Sequence, residues 1–155
     1  MIDIFFDTQK KSQHKDLILA IPTITLYEVA DSYYYAIDTE FIAEEDRNGK
    51  VIKILRTLIL GWQKLVGTLV INQSVFLPFD FSDEYIGGLL VKAVEQDDLS
   101  MFYGVTTSKK GWEISPSKSL EQVWSLLDFR IISNELKSKK ADFLARLMEL
   151  PKIRV

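Results

Sequence analysis

The sequence predicts an α+β fold: a mainly antiparallel sheet, an amphipathic helix in the middle of the chain, and two helices at the C-terminus. Three observations carry this expectation. Stretches rich in β-branched and aromatic residues flank a short turn near residue 31, and apolar residues recur at helical spacing from Val51 to Val66. Strand-type and helix-type stretches also come in blocks, which favours α+β over the alternating order of a doubly wound parallel sheet.

Ile2 to Phe6 and Leu17 to Ile21 are short apolar runs separated by the polar loop Gln9 to Lys15, and each is read as a candidate strand. Thr23 to Val29 and Tyr33 to Phe41, with Ala30-Asp31-Ser32 between them, read as a hairpin. Val51, Ile54, Leu55, Leu58, Trp62, Leu65 and Val66 mark one face of a helix. Gly67 stands where a left-handed cap would end it, and Glu44-Glu45-Asp46 lies near its N-terminal dipole. Leu69 to Asn72 and Val75 to Phe79 are each expected to be strands. A three-stranded meander follows, from Tyr85–Glu95 through Leu99–Thr107 to Trp112–Ile114, with Gly87-Gly88 signalling a bulge or a close backbone approach. Ser119 and Gln122 have the form of a capping box, ahead of Leu120, Val123, Trp124 and Leu127 on one helical face. The last helix is expected from about Asn134, with Leu136, Phe143, Leu144, Leu147 and Met148 inward, ending before Pro151. Trp62, Trp112 and Trp124 all fall on faces expected to be buried.

A chain of 155 residues is the size of one domain, and residues 1–155 are read as a single one. Composition then removes whole classes of function. Without Cys there is no disulfide framework and no thiolate nucleophile, and with His14 as the sole imidazole a Cys-His pair, a two-His zinc helix and a zinc ribbon are excluded. His14 itself sits in a lysine-flanked polar loop with no orienting partner in view, so it reads as a surface residue. Asp3 and Asp7 interrupt the first apolar stretch, which is unlike a signal peptide, and Lys53, Arg56, Gln63 and Lys64 make the longest apolar stretch too polar to cross a bilayer. The expectation is therefore a cytoplasmic protein with no membrane partner. Gly49-Lys50 lacks the rest of a phosphate loop, and no nucleotide site is expected.

Net charge is −3, which argues against general nucleic-acid binding, but its layout is segregated. Five acids and no base lie in 38–46, and six acids face only Lys92 in 80–98. Four bases and no acid lie in 50–64, and 130–155 holds seven bases against three acids. The outer face of the central helix, with Lys50, Lys53 and Lys64, and the Lys137, Lys139 and Lys140 cluster read as solvated charge.

Two places attract attention. On a strand, Asp38 and Glu40 would point to one side and together hold a divalent cation. Ala36-Ile37-Asp38-Thr39-Glu40-Phe41 resembles the first acidic motif of metal-dependent exonucleases of the ribonuclease-H-like type, over about six residues. The resemblance implies a phosphodiester hydrolase using Mg²⁺ or Mn²⁺. That family also needs further acids from later segments, for which Asp80, Asp83, Asp97 and Asp128 are candidates, and a downstream His or Tyr, for which no comparable pattern follows residue 104. The competing reading leaves both acids on a solvated strand face.

The second place is 77–85, where Phe79, Asp80, Phe81, Asp83, Glu84 and Tyr85 interleave aromatics with acids, as suits a contact patch for a basic partner. In the triple Tyr33-Tyr34-Tyr35 one ring must oppose the other two, and Tyr34 is the one expected to be exposed. The leading reading is a non-enzymatic protein-binding module that needs no cofactor, its partner another protein and a basic one. In size, charge and scarcity of catalytic groups the chain is similar to bacterial immunity or inhibitor proteins that neutralise a basic toxin. A homodimer leaves no unambiguous mark in a sequence and stays open.

Overall fold

The computed structural model describes residues 1–10, 15–39 and 46–154. Two sheets and a long helix share one apolar core. The first sheet is built from β1 (Asp3–Asp7), β2 (Leu17–Ile21), β3 (Leu26–Ala30) and β9 (Lys152–Arg154), in the order β3-β2-β1-β9. The β1–β2 and β2–β3 pairs are antiparallel, whereas β9 lies parallel to β1. All five residues of β2 are buried, as its unbroken Leu-Ile-Leu-Ala-Ile run requires of a strand covered on both faces.

The second sheet is antiparallel throughout. It comprises β4 (Ser74–Phe81), β5 (Ile86–Glu95), β6 (Asp98–Thr106) and two short strands, β7 (Arg130–Ile131) and β8 (Leu136–Lys139), which pair with opposite ends of β6. The central helix, α2, spans Arg47–Gly67 and buries Val51, Ile54, Leu55, Leu58, Ile59, Trp62 and Val66. Its N-cap is Asp46, whose carboxylate accepts the Gly49 amide at 2.6 Å. Glu44 and Glu45 lie outside the described residues.

Several expected elements are replaced, each for a local reason. The hairpin over 23–41 does not form. Pro22–Ile24 is a 3₁₀ turn, β3 starts at Leu26, and Tyr33–Ala36 is a single helical turn, α1. Asp31 accepts the Tyr33 amide at 2.8 Å in an Asx turn, while Asp16 takes both the amide (3.0 Å) and the hydroxyl (2.6 Å) of Ser32, so the chain curls instead of extending. Burial of Tyr35, whose hydroxyl donates to the Phe79 carbonyl at 2.6 Å, holds that turn against the second sheet. Leu69–Asn72 is a turn rather than a strand, with Asn72 left-handed (φ 70°) and its amide bonded to the Ala93 carbonyl.

Trp112–Ile114 is likewise no strand. Gly111–Glu113 forms a 3₁₀ turn because the Gly111 amide donates to the Ser82 carbonyl at 2.7 Å and its backbone passes so close to Phe81 and Tyr34 that only glycine fits. Trp112 is left 65% exposed, against the expectation of burial.

The helix expected after Ser119 is also absent. Ser119 turns its hydroxyl back to the Pro116 carbonyl, and the Trp124 indole takes the Ser119 carbonyl at 3.0 Å. Pro116–Glu121 stays a 3₁₀ segment, Trp124 lies half-buried edge-on to Phe76, and Val123 and Leu127 point into solvent. One C-terminal helix remains, α3, Lys140–Leu147. Leu136-Lys137-Ser138-Lys139 alternates half-buried and exposed and is pulled into β8 by pairing with β6. On α3, Phe143 and Leu147 are buried, but Met148 is exposed. Arg146 fixes this end to β1, with its Nε donating to the Ile2 carbonyl at 2.8 Å and its guanidinium paired with Asp3.

The β4–β5 hairpin carries the feature that shapes the site. Leu77 pairs with Leu89 and Pro78 with Gly88, but Asp80 pairs with Gly87, so Phe79 is an inserted residue. One inserted residue inverts the alternation, and Asp80 comes to the face that Leu77 occupies instead of the opposite one. The bulge foreseen at Gly87-Gly88 therefore lies on the partner strand. Gly88 answers to the close approach, since a side chain there would collide with the Leu77 carbonyl.

Candidate protein-binding cleft

A cleft of about 700 Å³ opens between the end of β3, the α1 turn and the β4–β5 connection. The connection is tight, with the Ser82 amide bonded to the Tyr85 carbonyl at 3.0 Å, so Asp83 and Glu84 stand at an exposed tip. Across from them Tyr33 and Tyr34 meet edge to face, centroids 5.1 Å apart at 80°. The Tyr34 hydroxyl donates to the Asp83 carboxylate and bridges the two sides. That hydrogen bond, with burial adding to it, pushes the Tyr34 phenol up to about 12.

Asp80 lies at the floor, 6% exposed. Burial pushes its carboxyl up to about 7; the negative charges of Glu28 and Asp31 add to the rise, while a hydrogen bond from the Tyr85 hydroxyl at 3.3 Å opposes it. Burial likewise raises Glu28, and it raises the Tyr85 phenol together with the Asp80 charge. The cleft is thus negative and tyrosine-walled, and among its lining residues the one cation is Lys15, exposed at the mouth.

Six of the seven residues that sequence singled out for binding meet in this cleft: Tyr34, Asp80, Phe81, Asp83, Glu84 and Tyr85. Their roles differ from expectation. Phe79 is wholly in the core, and Phe81 is buried edge-on to Tyr35, so neither offers a partner an aromatic anchor. Tyr33, not Tyr34, is the exposed ring of the triple, and Tyr34 is half-buried. Sequence reasoning also missed Asp31 and Tyr33 as lining residues. Only the turn signal of Ala30-Asp31-Ser32 hinted at a bend there, and nothing local places residue 31 beside residue 83.

Asp38 follows the α1 turn, not a strand, and is 2% exposed. Ser117 binds both of its oxygens, the amide at 2.8 Å and the hydroxyl at 2.8 Å, so Asp38 ties the turn to the 3₁₀ segment at 116–121. This differs both from a metal-facing strand and from a solvated one. Glu40 lies outside the described residues, as does His14. Among the described residues, no group of three or more His, Asp or Glu side chains is placed to hold a metal ion. Lys53 and Lys64 are exposed on α2, and Lys139 pairs with Asp98 at 2.5 Å.

No protein-family model matches this chain, and no curated protein matches it in sequence. In three dimensions it is similar to a chain of the CdiA-CT/CdiI toxin and immunity complex from Enterobacter cloacae, with a TM-score of 0.52, 97% of this chain and 100% of that one covered, and 12% identity. The likeness is one of fold. Among the described residues no helix is long and apolar enough to cross a membrane.

Proposed function

We propose that this chain is a protein-binding module of immunity type, which engages a basic protein through the cleft between α1 and the β4–β5 tip. The observation that carries the reading is the convergence of Asp31, Asp80, Asp83 and Glu84 with Tyr33, Tyr34 and Tyr85 on one concave surface. Tyrosines supply contact area at low entropic cost, and exposed carboxylates steer a cation-rich partner to it. The overall charge of −3 has the sign such a partner needs. A fold shared with a chain of a toxin and immunity complex supports the same reading.

The test begins with affinity capture on the immobilised chain, followed by identification and purification of the captured protein. The purified partner is expected to be basic and to arrest growth when expressed alone, with growth restored by co-expression of this chain. Association should slow as salt rises, and a double reversal of the tip, Asp83→Lys with Glu84→Lys, should slow it by about ten-fold or more. A partner that associates with the reversed variant at the wild-type rate removes the cleft from the interface. One that leaves growth untouched removes the immunity role.

A further inference from the structure

We propose that the cleft receives an arginine side chain of the partner, held between the tyrosine walls with the Asp80 carboxylate beneath it as counter-ion. This rests on the protein-binding reading above and adds the chemistry of the inserted group.

Two independent observations point to a missing cation. Asp80 is buried, makes no ion pair among the described residues, and has the long 3.3 Å contact from Tyr85 as its hydrogen bond. Buried carboxylates are ordinarily paired, because a desolvated charge without a partner is strongly unfavourable. The groups facing Asp80 do not supply the pairing: Glu28 on β3 and Asp31 beyond it are negative, and Tyr35 on α1, Tyr85 and Tyr103 on β6 are phenols. Lys15, at the mouth, forms no ion pair with it.

The second observation is the Tyr103 hydroxyl, which is buried and has no hydrogen-bond partner among the described residues. The space beside the Gly87 Cα locates it, since a Cβ built there would lie 2.7 Å from this hydroxyl and 3.2 Å from the Asp80 Cβ. An orphaned hydroxyl and a carboxylate without an ion pair thus lie near one another, the carboxylate in the lining of the cleft and the hydroxyl behind it. Orphaned buried hydroxyls are uncommon and mark an absent partner.

A guanidinium fits this arrangement better than an ammonium. Its five donors lie in a rigid planar fork, enough to serve a carboxylate and a hydroxyl together, and its flat face stacks on tyrosine rings. Tyr33 and Tyr34 present rings at 80° to one another at the entrance, where Asp31, Asp83 and Glu84 hold the approach negative. Ionisation follows from insertion. Asp80 titrates near 7 in the free protein, so an arriving guanidinium expels its proton and binding strengthens as pH rises.

The probe is acetyl-Gly-Arg-Gly-amide, with the neutral citrulline peptide as its control, each titrated into the whole chain at pH 8 and followed in ¹H–¹⁵N spectra. Shifts are expected at the amides of 31–35 and 80–87 with the arginine peptide, and affinity about ten-fold lower or worse with citrulline. Asp80→Asn should lose about thirty-fold in affinity. From pH 5.5 to pH 8 the wild-type chain should gain about thirty-fold, and the variant should stay flat. Tyr103→Phe, which removes the orphaned hydroxyl and no hydrogen bond among the described residues, should keep the fold and weaken the peptide about five-fold. Equal binding of the citrulline peptide, or wild-type affinity in Asp80→Asn, overturns the inference. If the arginine peptide fails while a basic protein still binds, this inference falls and the binding module stands; if no basic protein binds, both fall.

Discussion

Replacing Asp80 by asparagine is expected to stabilise the free protein, and to do so increasingly as pH rises. The carboxyl sits at about 7 in the fold against an ordinary value of 3.8, a gap of about three pH units, each worth about 1.4 kcal/mol between the two protonation states. The sign follows from proton counting. Between pH 4 and pH 7 the folded chain keeps a proton that the unfolded chain has lost, so stability falls as pH rises through this window. Above pH 7 the whole difference, about 4 kcal/mol as an upper limit, has been lost. Asparagine carries no charge to desolvate and, like the protonated acid, places a neutral donor at this site, so it should match the wild type at pH 4 and gain up to about 4 kcal/mol on it at pH 8. The assay is urea unfolding of both proteins from pH 4 to pH 8.5. The curves should nearly coincide at pH 4 and diverge steadily above pH 5. A gap independent of pH, or a variant less stable at pH 8, would refute the assignment of a desolvated carboxylate to this floor.

Other expectations concern the core and its ties. Trp62→Ala should destabilise by about 3–5 kcal/mol in chemical denaturation, because the indole is wholly buried on α2, whereas Trp112→Ala at its exposed site should stay within about 0.5 kcal/mol. Ser117→Ala removes one of the two bonds that Ser117 makes to the buried Asp38 and should lower stability by about 1–3 kcal/mol, and a Mg²⁺ titration should leave the wild-type thermal midpoint unchanged because Ser117 already engages both oxygens. Gly88→Ala drives a methyl into the Leu77 carbonyl and should both lower the unfolding midpoint and perturb the amide shifts of 76–81.

The elements legible in the sequence were those whose own side chains decide them. The apolar spacing from Val51 to Val66 fixes α2, and the runs at 2–6, 17–21 and 75–107 fix the main strands. What failed was decided at a distance. The 33–36 turn depends on Asp16 and on burial of Tyr35 beneath β4, and the 119–127 segment on Trp124 taking a carbonyl that a helix would have used. For the site, composition pointed to 79–85 and to the tyrosine triple, but which residues are buried turns on the inserted Phe79. Period-two reasoning sends Asp80 the wrong way, and the Gly87-Gly88 signal, lying on the partner strand, does not say which residue of β4 is inserted.

The parallel pairing of β9 with β1 sets a timetable for synthesis. Phe5 meets Lys152 and Asp7 meets Arg154, so β1 waits for a strand translated about 147 residues after it before its outer edge is covered. Such a long closure slows folding and leaves the nascent β1 edge open to wrong partners. The second sheet, whose principal hairpins join neighbours in sequence, can form while the first is still waiting.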